Sequence, residues 1–157
     1  MRIDGGEFKI QRLQEAPNNS TDLSTPERVI EYLRPQLPGS LRYSIDTENF
    51  GVLCLNTRRR AIGFEIISNG TLDTILVHAR QVFRPAIVMN AAALVIFHNH
   101  PSGDPTPSEA DIKVTRDLVR AGQLLKIEIL DHLILGQATA DRPKDWASLR
   151  ELGYFSC

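Results

Sequence analysis

The chain has 157 residues, of which 42% are hydrophobic and 24% charged, enough for one domain with a real core and too few for two comfortable ones. Lys plus Arg total 18 against 19 Asp plus Glu, a formal net charge of -1, so no global basic field draws it to nucleic acid, although a local patch is compatible with that balance. Two cysteines, Cys54 and Cys157, exclude a disulfide framework, and no apolar run approaches the roughly 18 residues that suggest a membrane span. Cys54 lies in an apolar run and reads as a buried small hydrophobe. No signal peptide precedes the first polar segment, so a cytoplasmic location without membrane association is expected.

Residues 1–24 are polar and turn-rich and are expected to form a flexible arm, with a short edge strand around Phe8-Lys9-Ile10. The domain itself is expected over residues 25–157. Ser24 or Thr25 can cap a first helix, with Pro26 near its first position and Glu27 in the first turn. Val29, Ile30, Leu33 and Leu37 give that helix an apolar stripe, and Pro35 and Pro38-Gly39 end it. Phe50 to Leu55 reads as a strand, Asn56 to Arg60 as a polar turn, and Ala61 to Ser68 as the returning strand with Glu65 in its middle. Asn69-Gly70 is a hairpin signal, because both residues tolerate positive φ, and Leu72 to Val77 would complete an antiparallel meander.

Residues 79–91 suit a helix, which Pro85 would distort. Ala93 to Phe97 lacks polar alternation, the mark of a central strand covered by helices. A helix beginning near Ser108 carries Ala110, Val114, Leu118 and Ala121 at helical spacing, with Gly122 as its expected stop. Lys126 to Asp131 and Leu133 to Leu135 suggest a closing strand pair or one bent strand, and Trp146, Leu149, Leu152 and Tyr154 a short packed helix. The expected class is α/β, with a mixed, largely antiparallel sheet flanked by helices.

The chemistry concentrates between His98 and Asp111, in His98-Asn99-His100-Pro101-Ser102-Gly103-Asp104-Pro105-Thr106-Pro107-Ser108-Glu109-Ala110-Asp111. In an extended segment His98 and His100 point to the same side, so both imidazoles can converge on one ion where the strand ends. Asp111 follows in the first turn of a helix, and Pro105 and Pro107 limit how the loop between them can wander. Two histidines and one aspartate would give a divalent metal three protein ligands and leave one position for water, the arrangement of a catalytic zinc site. Ser108 and Asp111 also have a purely structural explanation as a Ser-x-x-Asp capping box. Ligation is preferred for Asp111, because the two histidines have no equally economical explanation nearby. Ser108 could cap the helix and still present its hydroxyl to a reacting carbonyl.

The stretch from His98 to Asp111 resembles the JAMM signature of JAB/MPN metalloproteases, and in particular the RadC-type bacterial branch. Asn56-Thr57, Glu65, Asn69-Gly70-Thr71-Leu72, Val77-His78 and Asp131-His132-Leu133-Ile134-Leu135-Gly136 resemble that branch too. The match covers roughly residues 25–136 and extends weakly through Ser148-Leu149-Arg150-Glu151. The resemblance implies a JAB/MPN-like fold of cytidine-deaminase-like architecture, without the upstream helix-hairpin-helix region common in RadC-like proteins. It further implies one Zn2+ held by His98, His100 and Asp111, with Ser108 stabilising the tetrahedral oxyanion. The family pattern also requires an upstream glutamate, and Glu65 matches by position, as the base that takes a proton from zinc-bound water and returns it to the leaving nitrogen.

The function expected from these residues is zinc-dependent cleavage of a peptide or isopeptide bond, with a peptide or protein as substrate. Three alternatives stand beside it. RadC-like proteins are associated with DNA repair, and Arg58-Arg59-Arg60 or the pair Arg80 and Arg84 could contact nucleic acid. A two-metal phosphodiesterase would, however, ask for more acidic ligands. A non-catalytic scaffold domain is the second alternative. The third, a deaminase, lacks the Pro-Cys-x-x-Cys segment that such sites use. His78 and His132 default to packed or hydrogen-bonded histidines. Asn99, on the opposite side of the strand from its neighbours, is not assigned as a ligand.

Overall fold

The computed structural model describes the backbone at residues 2–3 and 6–7 and then residues 21–40, 42–70 and 77–156. Two short strands, β1 (Arg2–Ile3) and β2 (Gly6–Glu7), pair antiparallel at the start of the chain. The expected edge strand at Phe8-Lys9-Ile10 and nearly all of the third meander strand at Leu72 to Val77 lie outside the described residues; Val77 itself is not in a strand. Among the described residues no helix is long and apolar enough to cross a membrane.

The first helix, α1 (Pro26–Leu33), is capped by Thr25, whose hydroxyl accepts the Arg28 amide, and it carries Pro26 and Glu27 in its first turn. It ends just ahead of Pro35, and Val29, Ile30 and Leu33 are its buried residues. The chain then lays down β3 (Glu48–Leu55), β4 (Ala61–Gly70), α2 (Ala79–Val88), β5 (Ala93–Asn99), α3 (Glu109–Leu125), β6 (Glu128–Leu135) and β7 (Trp146–Ser148).

Five of these strands form one sheet in the order β4-β3-β5-β6-β7. β3 runs antiparallel to both β4 and β5, β7 runs antiparallel to β6, and β5 and β6 are parallel with α3 as the connection between them. The sheet is therefore mixed and largely antiparallel, as expected. α1 covers one face, packing Val29, Ile30 and Leu33 against Leu53, Leu55, Val95, Phe97, Leu133 and Leu135. α2 and α3 cover the other, with Val82, Phe83, Ala86 and Leu118 against Phe50, Val52, Cys54, Leu94, Ile96 and Ile129. β3 and β5 are buried along their whole length, so neither shows the polar alternation of a half-exposed strand.

Several local expectations change in the folded chain. Asn69 and Gly70 do not turn; they remain in β4, opposite Asn49 and Glu48, because β3 begins two residues earlier than its apolar run. Gly122 does not stop α3. A side chain there would put its Cβ 2.5 Å from the Ile127 carbonyl oxygen and 3.3 Å from the Phe83 ring, so the glycine permits close packing, while Lys126 ends the helix in the left-handed conformation. Of the two readings for residues 126–135 the single strand holds: residues 128–135 form one strand, with one extra residue between the Leu94 and Val95 pairings. The tail pairs through β7 and continues in turns instead of forming a helix.

Candidate metal centre

The site sits where β5 runs out of the sheet. His98 is still in the strand, in line with Phe50 on β3, and His100 lies just beyond it, held by its amide to the Leu135 carbonyl at 2.9 Å. The loop that follows is pinned against the end of β6. Gln137 donates to the Gly103 carbonyl at 2.8 Å, and the approach is so close that a Cβ on Gly136 would lie 2.4 Å from that same oxygen. The pinning brings the Asp104 carbonyl within 2.7 Å of His100 Nδ1. A carbonyl can only accept, so Nδ1 carries a proton, and in the neutral ring Nε2 is the bare nitrogen.

The loop delivers the chain to Ser108, the N-cap of α3. Its Oγ accepts the Asp111 amide at 3.1 Å, and Asp111 Oδ2 accepts the Ser108 amide at 2.7 Å, a closed capping box. The same box aims the carboxylate of Asp111 at the two rings. Its Oδ1 is 3.3 Å from His98 Nε2 and its Oδ2 is 3.5 Å from His100 Nε2, while the two Nε2 atoms lie 3.0 Å apart. Capping and ligand placement are thus compatible functions of one aspartate. Burial acts to raise its pKa, but the close approach of the His100 and His98 rings, with the Ser108 amide, prevails and holds Asp111 well below the usual carboxylate range.

The fourth member is Glu48, which the sequence reasoning missed. Glu48, His98, His100 and Asp111 bring ligand atoms within 4.8 Å of one another, and Glu48 Oε1 is 3.6 Å from His98 Nε2. That oxygen is buried with no hydrogen-bond partner among the described residues, and burial, with the nearby Asp111 charge, pushes the carboxyl up to about 7 against an opposing pull from His100. A bare imidazole nitrogen and two carboxylates converging on one point, one oxygen of them orphaned, is an arrangement of acceptors that calls for a cation. The donor set fits a single divalent metal.

Glu65 is not brought to this cluster. It stands opposite Val52 on β4, on the same sheet face as His98 but one pairing row away and across β3, and its carboxylate is paired with Arg84 of α2 at 2.9 Å. The Phe50 ring occupies the intervening position, stacked on His98 at 6.1 Å. The correction follows from the register of the hairpin: the two residues that extend β3 backward from Phe50 put Glu48, not Glu65, beside the strand end that carries the histidines. A usable signal was present, since Glu48 keeps the period of two with Phe50, Val52 and Cys54.

His132 and Thr115 are two further polar groups beside His98, both fully buried. His132 Nε2 is 2.7 Å from His98 Nδ1, and its Nδ1 is 2.6 Å from Thr115 Oγ1. Asn99 faces away, holding the Asn49 backbone and side chain through its Oδ1 at 2.8 and 2.9 Å. Beside His100 a cleft of about 520 Å³ opens between Arg34, Tyr43, Ile45, Asn99, Leu135 and Gln137. Two of the arginines considered for nucleic acid are engaged elsewhere, Arg59 with Glu128 and Arg84 with Glu65.

Comparison with known proteins agrees with this geometry. The family model described as a RadC-like JAB domain matches residues 23–154. A UPF0758 protein of Symbiobacterium thermophilum is 43% identical over 142 residues, covering 90% of this chain and 56% of that protein. A UPF0758 protein of Moorella thermoacetica is 53% identical over 96 residues, 61% of this chain and 42% of the relative, and one of Thermosynechococcus vestitus is 40% identical over 139 residues, 88% and 51%. The chain spans about half the length of the relatives it matches. With the JAMM-type Glu/His/His/Asp cluster in place at the end of β5, the chain belongs to the RadC-like JAB domain family.

Proposed function

We propose that this domain is a zinc-dependent metallohydrolase that cleaves a peptide or isopeptide bond. The observation that carries the reading is the buried convergence of Glu48, His98, His100 and Asp111 with one carboxylate oxygen left unpartnered. His98, His100 and Asp111 would hold the ion. When bound, zinc would supply a Lewis acid for the scissile carbonyl and lower the pKa of a neighbouring water.

Glu48 takes the proton role first expected of Glu65. Burial keeps its carboxyl near neutrality, so it can accept a proton from the attacking water and return it to the leaving amine within one turnover. Ser108 Oγ is anchored as acceptor of the Asp111 amide, which leaves its hydroxyl proton for the oxygen that becomes negative during attack. The cleft beside His100 combines apolar walls with Arg34 and the amide of Gln137, a lining suited to an extended polypeptide. The single cluster among the described residues favours amide chemistry over a two-metal phosphodiester reaction.

The test is hydrolysis of peptide- and isopeptide-linked substrates, and of a DNA duplex, by the zinc-loaded protein. Amide cleavage that a chelator abolishes and zinc restores supports the reading. Phosphodiester cleavage alone, or a protein that takes up no metal, would overturn it.

A further inference from the structure

We propose that His132 and Thr115 are positioning residues for the metal centre, joined to it by a one-way chain of hydrogen bonds that fixes which nitrogen of His98 is bare. The proposal rests on the metal-site reading above. It starts from proton accounting in a dry place, since His98, His132 and Thr115 each have 0% exposure.

Thr115 has one hydroxyl proton, and it donates that proton to the Asp111 carbonyl one helical turn back, at 2.6 Å. Toward His132 Nδ1, also at 2.6 Å, the same oxygen can therefore only accept. His132 Nδ1 then carries its ring's proton and His132 Nε2 is a lone pair. That lone pair receives the Nδ1 proton of His98 at 2.7 Å. Complete burial disfavours a second proton on either ring, so His98 Nε2 is bare and faces the cluster. The reverse direction fails at Thr115. It would leave the hydroxyl oxygen and the Asp111 carbonyl oxygen 2.6 Å apart with no proton between them.

The chain thus begins at one ligand and ends on the backbone of another. It crosses β5, β6 and the first turns of α3, and the Phe50 ring, edge-on to His132 at 5.7 Å, closes it from the side of β3. The Asp104 carbonyl does the same service for His100 with a single contact. Orientation of a ligating histidine through its other nitrogen is a general device of metal sites. Here the partner is a neutral histidine, and the acceptor that terminates the chain is held by the same helix turn that supplies the carboxylate.

Thr115→Val keeps the shape and removes the hydroxyl. His132 then loses its acceptor at Nδ1 and gains by moving its proton to Nε2, which forces the proton of His98 onto the nitrogen that faces the cluster. Chelator competition on the whole chain should find zinc bound about 10- to 100-fold more weakly in Thr115→Val, with near wild-type affinity restored in Thr115→Ser. Long-range proton–nitrogen NMR of the metal-free wild type supplies a readout independent of any variant: His98 and His132 should both carry the proton on Nδ1. A proton on His98 Nε2, or unchanged zinc affinity in a folded Thr115→Val, overturns the positioning role while leaving the metal site standing. No zinc binding by the wild type would instead overturn the reading beneath it.

Discussion

One hairpin, β3 and β4, presents two glutamates to the same face of the sheet, in opposite circumstances. Glu65 meets a cation: Arg84 reaches down from α2 to pair with it, and the arginine is 65% exposed. Glu48, at the far end of β3, has one buried oxygen without a partner and a carboxyl held near neutrality. A satisfied carboxylate at the surface is chemically quiet, whereas one kept from both water and a partner responds to the arrival of a proton or a cation. Position in a strand makes either residue a candidate. The environment separates them.

The sharpest way to break this contrast is to neutralise each in turn. Glu48→Gln should retain zinc and lose turnover by about 10²- to 10⁴-fold, the usual scale of general acid–base catalysis, while Glu65→Gln should leave turnover nearly intact. Equal losses in steady-state assays would erase the distinction. Asp111→Asn sharpens the same picture from the ligand side. Zinc affinity should fall by more than the about 10- to 100-fold typical of outer-shell changes, and weakening of the capping box should cost on the order of 1 kcal/mol, read by chelator competition and by urea titration.

Glu48 also predicts a pH dependence for the metal-free protein. Its carboxyl rises from 4.5 to about 7 on folding, so between those values the folded chain keeps a proton that the unfolded chain releases. Stability from this group is present below about 4.5 and is lost as pH rises through about 7. Metal-free Glu48→Gln should therefore melt higher than wild type at pH 8, by roughly 1–3 kcal/mol, and match it near pH 4. An unchanged difference across that range would show that the oxygen is satisfied in solution. The smallest effect belongs to the quiet glutamate: Arg84→Ala should cost about 0.2–1 kcal/mol in denaturant melts, as an exposed pair does. Cys54, on the same face, is pushed up to about 12 by burial and then by the Glu65 charge, and should resist alkylation until the protein unfolds.

Much of the site was legible in the sequence because its core is local. The period of two puts His98 and His100 on one side of a strand, and Ser108-x-x-Asp111 marks the helix start that returns a carboxylate to them. The fourth member of the cluster was not legible in the same way. Glu48 lies fifty residues before His98, and its apolar neighbours suggested a strand starting at Phe50. His132 lies in a segment that resembles the family, but nothing in the sequence marks it as a neighbour of His98; only the contacts with His98 and Thr115 do that.

Composition and periodicity alone pointed to an α/β fold with a buried central strand, to two imidazoles on one side of it, and to a capped helix after them. Those are properties of a few consecutive residues, governed by how side chains alternate along a strand and by which residues satisfy the first amides of a helix. The tertiary structure decided which glutamate joins the site, that β5 and β6 run parallel, and that His132 lies behind His98. The parallel pair follows from the α3 crossover, and the other two depend on strand register, where a two-residue step moves a side chain about 7 Å along the same face. Local patterning does not resolve that step, because both positions face the same way and only the packing of the whole sheet distinguishes them.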